Sequence, residues 1–339
     1  MDLKYLIKEL KYYKKLKGLS RAIKKYSLSR TFLKNSVNSP FYNKIYGNNI
    51  KKKAKILKPY ILQIENTNLC NARCVMCPHT IMKRKAKVMS LKNFKKIINN
   101  VLNRYDIKKL VITGFGEPFM DKNLIDKIKY INEKYPKLKI EIYTNASLLD
   151  QKTADEILKT KIEKMTFSIN GTESNYKKIM GLDYEKTKNN VVYFLKKNKE
   201  LGNPILTNVS LMILKENEID VKNFIDFWSP FSDSVRVYPP SDWAGALNEM
   251  VKRPSFKYKR WPCMTLWNAV TVDVEGKVIM CCRDYESKVT FGNLINEDIL
   301  KIRESKKFQD LLKNQLDFEF STPICSKCDN SFDSSLDWW

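Results

Sequence analysis

The chain has 339 residues, 43% apolar and 12% aromatic, enough to build a core and too apolar for a disordered or collagen-like protein. No uncharged run approaches the roughly 18–20 residues of a membrane span, and MDLKYLIKELKYYKK lacks the apolar stretch and cleavage site of a secretory signal, so a cytoplasmic protein is expected. The net charge is +25, and eight cysteines accompany one histidine, His79, which turns attention from His-based chemistry to thiolates.

Residues 1–59 carry 17 Lys/Arg against two acids, so +15 of the charge sits in this extension. Within it, Leu3, Leu6, Ile7, Leu10 and Tyr13 recur at helical spacing with lysines between them, which predicts a basic amphipathic helix over 3–17. Two readings stand: a stripe packed on the protein body with its lysines solvated, or peripheral contact of residues 1–30 with the anionic inner membrane surface or an acidic partner. Residues 34–59, punctuated by Asn, Pro and Gly, read as an irregular connector. Only 10 of the 62 basic residues are arginine, which argues against a specific nucleic-acid partner.

From Tyr60 strands and helices alternate. Strands are predicted at 60–64, 109–113, 139–144, 164–169, 206–213 and 234–238, with helices near 90–104, 121–134, 151–160, 184–200 and 217–228. Ser90 and Asp150 sit as N-caps. Six strand–helix units imply an α/β fold with parallel strands, as an open doubly wound sheet or a partial barrel, with chemistry at the C-terminal strand ends. After about residue 255 the alternation stops. NAVTVDVEGKVIMCC reads as a hairpin around Glu275-Gly276, followed by FGNL, a helix at about 296–314 and a Cys-containing tail. The expected organisation is a basic extension over 1–59, a main domain over 60–254 and a small second domain over 255–339.

The cysteines are at 70, 74, 77, 263, 281, 282, 325 and 328. The first three form C-x3-C-x2-C directly after the first strand. A structural zinc site wants four ligands, whereas three thiolates suit a 4Fe–4S cluster with one iron left open for a small molecule.

This motif at this place resembles the radical SAM superfamily. Gly114-Phe115-Gly116-Glu117-Pro118 after the second strand looks like the family's GGE motif, and Met76 stands where the family usually carries an aromatic. The resemblance implies a partial (β/α)6 barrel that binds S-adenosylmethionine (AdoMet), with contacts from Met76, Gly116, Glu117, Asn145, Ser168 and Asn170. Cys263, Cys281-Cys282, Asp284, Gly292-Asn293-Leu294, Cys325 and Cys328 resemble a SPASM/twitch domain. That resemblance implies one auxiliary 4Fe–4S cluster on Cys263, Cys281, Cys325 and Cys328, two clusters in all. Cys282 is left over, either as a hydrogen-atom donor to a substrate radical, as a small buried thiol beside the cluster, or as the ligand in place of Cys281. Arg236 and Tyr238 lie on the substrate side of such a domain, where Arg236 holds a substrate anion or sits near the auxiliary cluster.

The implied activity is that of a radical SAM oxidoreductase: reductive cleavage of AdoMet to a 5′-deoxyadenosyl radical, hydrogen abstraction, and an electron delivered by flavodoxin or ferredoxin. Three substrate readings compete. One is oxidation of a sugar, cyclitol or carrier-linked saccharide. A second is maturation or epimerisation of a ribosomally made peptide. A third, non-enzymatic, is a basic zinc- or iron–sulfur-containing nucleic-acid-binding protein, which predicts a steep salt dependence on DNA.

Overall fold

A computed structural model of the chain describes residues 40–247 and 262–328. The expected helix over 3–17, and with it the membrane reading of residues 1–30, lies outside the described residues. Among those described, no helix is long and apolar enough to cross a membrane. The chain divides into two compact units, Met1–Lys55 with Ser255–Arg260, and Ile56–Pro254 with Trp261–Trp339.

Of the first unit, the described part is residues 40–55 of one helix, α1 (Pro40–Ile56). It corrects the expected irregular connector. Proline opens the helix at a position where its missing N–H costs nothing, and Ile50 and Ala54, four apart, are buried on one stripe. The Asn and Gly residues read as loop signals are tolerated within it, and its lysines are good helix formers.

The second unit is built on six parallel strands: β1 (Ile61–Ile64), β2 (Lys109–Ile112), β3 (Lys139–Thr144), β4 (Lys164–Ser168), β5 (Leu206–Met212) and β6 (Ser234–Tyr238). Each pairs in register with the next, so the strand order never reverses. Right-handed crossovers that always step the same way keep their helices on one side, and such a sheet curls with the helices outside. Those helices are α2 (Leu91–Leu102), α3 (Leu124–Lys134), α4 (Gln151–Leu158), the short α5 (Tyr176–Met180), α6 (Tyr184–Glu200) and α7 (Val221–Trp228). Ser90 and Asp150 cap α2 and α4 by accepting from the amides of Asn93 and Thr153. Directly after β6, residues 239–247 form no helix and turn at 243–247.

The strands bury alternate residues. Leu62, Ile64, Leu110, Ile112, Ile140 and Ile142 join Phe94, Ile97, Ile98 and Val101 of α2 in the core. Each such side chain contributes about 1.5–3 kcal/mol of burial. The opposite, helix-free face carries polar side chains, Glu141, Tyr143, Ser168 and Arg236 among them, and these are only partly buried or exposed.

The C-terminal segment contributes α8 (Thr265–Asn268), β7 (Ala269–Val272), β8 (Lys277–Ile279), β9 (Thr290–Asn293), α9 (Ile299–Glu304) and α10 (Lys306–Leu316). The expected hairpin forms as β7–β8, but β7 also pairs in parallel with β1, from Ile61↔Ala269 to Ile64↔Val272. The described strands therefore make one sheet in the order β6-β5-β4-β3-β2-β1-β7-β8-β9. The single helix expected at 296–314 is two helices. Ser305 leaves helical geometry at ψ 142° and its hydroxyl caps α10 at the Phe308 amide.

Candidate active site

The C-x3-C-x2-C loop leaves the C-terminal end of β1 and is clasped by α5. The amides of Arg73 and Val75 donate to the carbonyls of Met180 and Ile179 at 2.9 and 3.0 Å. Met180 Sδ lies 3.3 Å from Cys74 Sγ and 3.3 Å from Asn170 Nδ2, so this one side chain joins the loop to the end of β4. Burial pushes the Cys70 thiol up to about 11 and raises Cys74 and Cys77 as well. For Cys74 the charges of Cys77 and Cys70 add to burial, so three thiolates here repel one another unless a cation is shared between them. Among the described residues, no three His, Cys, Asp or Glu side chains converge around a single metal ion. His79 Nε2 lies 3.0 Å from the Asn68 carbonyl and packs the loop.

The GFGEP turn lies directly over this loop. A Cβ on Gly116 would sit 2.3 Å from the Thr67 carbonyl oxygen and 2.7 Å from that of Leu69, so only glycine lets the two backbones approach this closely. The Glu117 amide donates to Leu69 O at 2.7 Å. Glu117 is 2% exposed and accepts from Thr144 Oγ1 (2.6 Å), the Asn145 amide (2.7 Å) and the Phe119 amide (3.2 Å). Burial still wins over these bonds and pushes its carboxyl up to about 7. Because this exceeds the usual 4.5, the group favours folding below about pH 4.5 and loses that contribution as pH rises through 7.

The remaining expected residues are placed as follows. The Asn145 side chain is engaged with Asn71 and Ser147, fastening the end of β3 to the cysteine loop. Asn170 Oδ1 accepts from the Met212 amide at 2.8 Å, which closes the end of β4 onto β5. Ser168 is half-buried as the last residue of β4. Met76 is buried, and its carbonyl accepts from Trp243 Nε1 at 2.8 Å. Arg236 lies on β6 among Tyr238, Tyr143 and Glu141, which places it on the helix-free face of the barrel.

Sequence reasoning missed the residue that holds the GFGEP turn. Glu65, at the end of β1, is 4% exposed and receives Arg84 through both guanidinium nitrogens at 2.8 and 2.9 Å. It also accepts from the amides of Phe115 (3.0 Å) and Val274 (3.1 Å). One buried carboxylate thus ties the turn after β2 to the β7–β8 hairpin. Phe115 packs edge-on against Trp243 and Tyr285 with centroids 5.6 and 6.1 Å apart, which seals the same junction.

The C-terminal cysteines lie within the same unit. Burial, then the neighbouring thiols of Cys282, Cys263 and Cys328, push the Cys281 thiol well above its ordinary value. Cys325 is buried, with Sγ 3.4 Å from Gln315 Nε2, while Gln315 Oε1 accepts from the Cys263 amide at 3.1 Å. Gln315, a second residue missed in the sequence, so bridges two of the expected ligands from α10. Cys282 is exposed.

Comparison with known proteins places this geometry. Residues 64–227 match the model of the radical SAM superfamily, and residues 263–329 that of the SPASM iron–sulfur cluster-binding domain. A curated relative from Niallia circulans, an S-adenosyl-L-methionine-dependent 2-deoxy-scyllo-inosamine dehydrogenase, is 22% identical over 277 residues, 80% of this chain and 92% of the relative. The solved structure of BtrN in complex with AdoMet and 2-DOIA superposes with a TM-score of 0.56 at 19% identity, covering 80% of this chain and 93% of BtrN. Streptococcus suis SuiB bound to its precursor peptide SuiA gives a TM-score of 0.64 at 16% identity, covering 83% of this chain and 72% of SuiB.

Proposed function

The chain is a radical SAM enzyme with a C-terminal SPASM domain, and from that premise we propose that it oxidises a sugar, cyclitol or carrier-linked saccharide. The observation that carries this reading is that two cysteine sets lie on the loops of one unit built on a continuous sheet, together with likeness over most of both chains to a dehydrogenase of a small cyclitol. The two domains imply AdoMet and iron–sulfur clusters as cofactors.

The residues present fit these groups. Cys70, Cys74 and Cys77 form a three-thiol donor set whose mutual repulsion a cationic cluster relieves, and the glycine at 116 lets the motif's backbone reach that loop. Cys263, Cys281, Cys325 and Cys328 are the ligands assigned to one auxiliary 4Fe–4S cluster. Bound there, the groups supply reductive cleavage of AdoMet to a 5′-deoxyadenosyl radical and a one-electron acceptor. An external donor of the flavodoxin or ferredoxin class supplies the first electron.

The protein's own part is to bind and orient. A carboxylate has about four acceptor positions, and Glu117 has three donors, so one position remains for the AdoMet ammonium. Below about pH 7 its carboxyl is protonated and neutral, and that attraction is lost. AdoMet affinity of the reconstituted enzyme is therefore expected to rise from pH 5.5 to 7 by up to about tenfold per unit. Equilibrium dialysis measures it, and an affinity independent of pH over this range removes Glu117 from the contact. Ser168 and Asn170, at the end of β4, are assigned to the ribose and carboxylate, and Met76 to the adenine through its backbone.

Cys282, exposed beside the cysteine set assigned to the auxiliary cluster, has no hydrogen-transfer part in the proposed oxidation, because a hydrogen atom given to the substrate radical would cancel it; such a donation belongs to the epimerisation reading. Cys282→Ser is therefore expected to keep the full iron content and near wild-type product formation, whereas a loss of about a hundredfold with iron retained would favour epimerisation. Iron analysis separates the roles: loss of about four irons makes Cys282 a ligand instead.

The peptide reading is favoured by the likeness to SuiB with its precursor peptide. Anaerobic assay decides between the two. Formation of 5′-deoxyadenosine that rises on adding amino-sugar or cyclitol substrates supports oxidation of a small molecule. A rise only with peptides overturns it.

A further inference from the structure

We propose that the helix-free face of the barrel holds a phosphate or diphosphate ester of the substrate at Arg236, Tyr238 and Tyr143, with Lys164 behind them. This deepens the reading above, on which that face receives the substrate. Strand register lays out the site. Arg236 is paired with Ser210, and Ser210 with Ser168, so one inward row runs across three strands; Tyr143 belongs to the row below, through Thr166 and Asn208 to Ser234. With strands about 4.8 Å apart, the Cα atoms of Ser168 and Arg236 are about 10 Å apart, the span of one sugar ring and its linking oxygen.

The charge on this face is unbalanced. Glu141 is taken by Lys109 at 2.8 Å. Among the described residues, neither Lys164 nor Arg236 has a carboxylate within ion-pair distance. Arg236 and Tyr238 stand two residues apart on the same face of β6, so the guanidinium donors and the tyrosine hydroxyl can meet one ligand. Tyr143 and Tyr238, on the same helix-free face, are 37% and 41% exposed. The site thus offers several donors, two positive charges and no competing free acceptor, which is the chemistry of phosphate recognition rather than of a neutral sugar. Burial and the charge of Arg236 hold the Lys164 ammonium below its ordinary value, a like-charge pressure that a bound anion relieves.

The test uses the reconstituted holoenzyme with AdoMet and inorganic pyrophosphate as probe, followed by titration calorimetry at about 0.15 M salt to suppress the loose attraction of surface lysines. Saturable binding at one site is expected, weakened at least tenfold by Arg236→Gln and several-fold by Lys164→Gln and Tyr238→Phe. Arg236→Lys should restore part of it, and Lys197→Gln, on the outer surface of α6, should leave it unchanged. Equal affinity in wild type and Arg236→Gln overturns the site, as does tighter binding of malonate than of pyrophosphate. Displacement of pyrophosphate by UDP-glucose marks a soluble nucleotide ester as the source. Displacement by geranyl diphosphate marks a lipid carrier, and displacement by neither overturns the ester assignment. An enzyme that forms 5′-deoxyadenosine but binds no pyrophosphate overturns this inference alone. One that binds pyrophosphate and forms none overturns the earlier reading alone.

Discussion

Cys74→Ala is expected to abolish 5′-deoxyadenosine formation, a loss of at least about a thousandfold, since the cofactor rather than any side chain supplies the cleavage chemistry. The middle cysteine is the most informative of the three. It is the one whose sulfur touches Met180, and it feels the charges of both Cys70 and Cys77. Removing it takes away one of the three proposed ligands while leaving the clasp of α5 intact, because that clasp runs through the backbone of Arg73 and Val75. Iron content after anaerobic reconstitution should fall by about four atoms per chain, with the remainder held by the C-terminal cysteines. Retained 5′-deoxyadenosine formation would falsify the cluster assignment, and a loss of all iron would mean the two cysteine sets do not load independently.

The largest effect on stability is expected at Asp121. Its carboxylate and the ammonium of Lys127 meet at 2.5 Å with both side chains 0% exposed. Asn66 Nδ2 donates to the same carboxylate at 3.0 Å, and Lys127 also donates to the Met89 carbonyl. Asp121→Ala leaves a buried ammonium whose pKa burial already lowers, with one carbonyl and the face of Phe94 for company. Breaking such a pair from one side costs about 3–5 kcal/mol. The double variant Asp121→Ala/Lys127→Met should recover most of that, because it removes the stranded charge as well. Urea unfolding followed by tryptophan fluorescence tests the order: the single variant lowest, the double variant near wild type. A single variant as stable as wild type would show that water reaches Lys127.

Much of this molecule was legible in its sequence, for identifiable physical reasons. Six strands were found because β-branched and aromatic residues alternate between the helix-packed and the open face, as in KIEIYT of β3. The cysteine motif was found because its three residues fall within eight positions of one loop. What escaped had no local signature. The α1 helix was hidden by Asn, Gly and Pro, residues that favour loops but are tolerated where a buried stripe such as Ile50 and Ala54 supports the turn. The α5 helix is five residues long, too short to show a period. Glu65 binds partners 19, 50 and 209 residues away, so nothing in its neighbourhood announces that it organises the GFGEP turn. A charged residue directly after an apolar strand was the available clue. Gln315 falls just past the helix expected over 296–314 and belongs to no motif, yet it is 1% exposed and stands between two cysteines.

The pairing of β1 with β7 also sets the order in which the chain can mature. β1 is an inner strand, yet one of its neighbours lies more than 200 residues downstream. As the chain leaves the ribosome, β1 can join β2 early, but its other edge stays bare until β7 has been synthesised. During that interval the strand that launches the cysteine loop offers unpaired backbone groups to any passing chain. Production of this protein should therefore be limited by aggregation of nascent intermediates, and a fragment ending before β7 should collect in inclusion bodies however completely its own six strands are present.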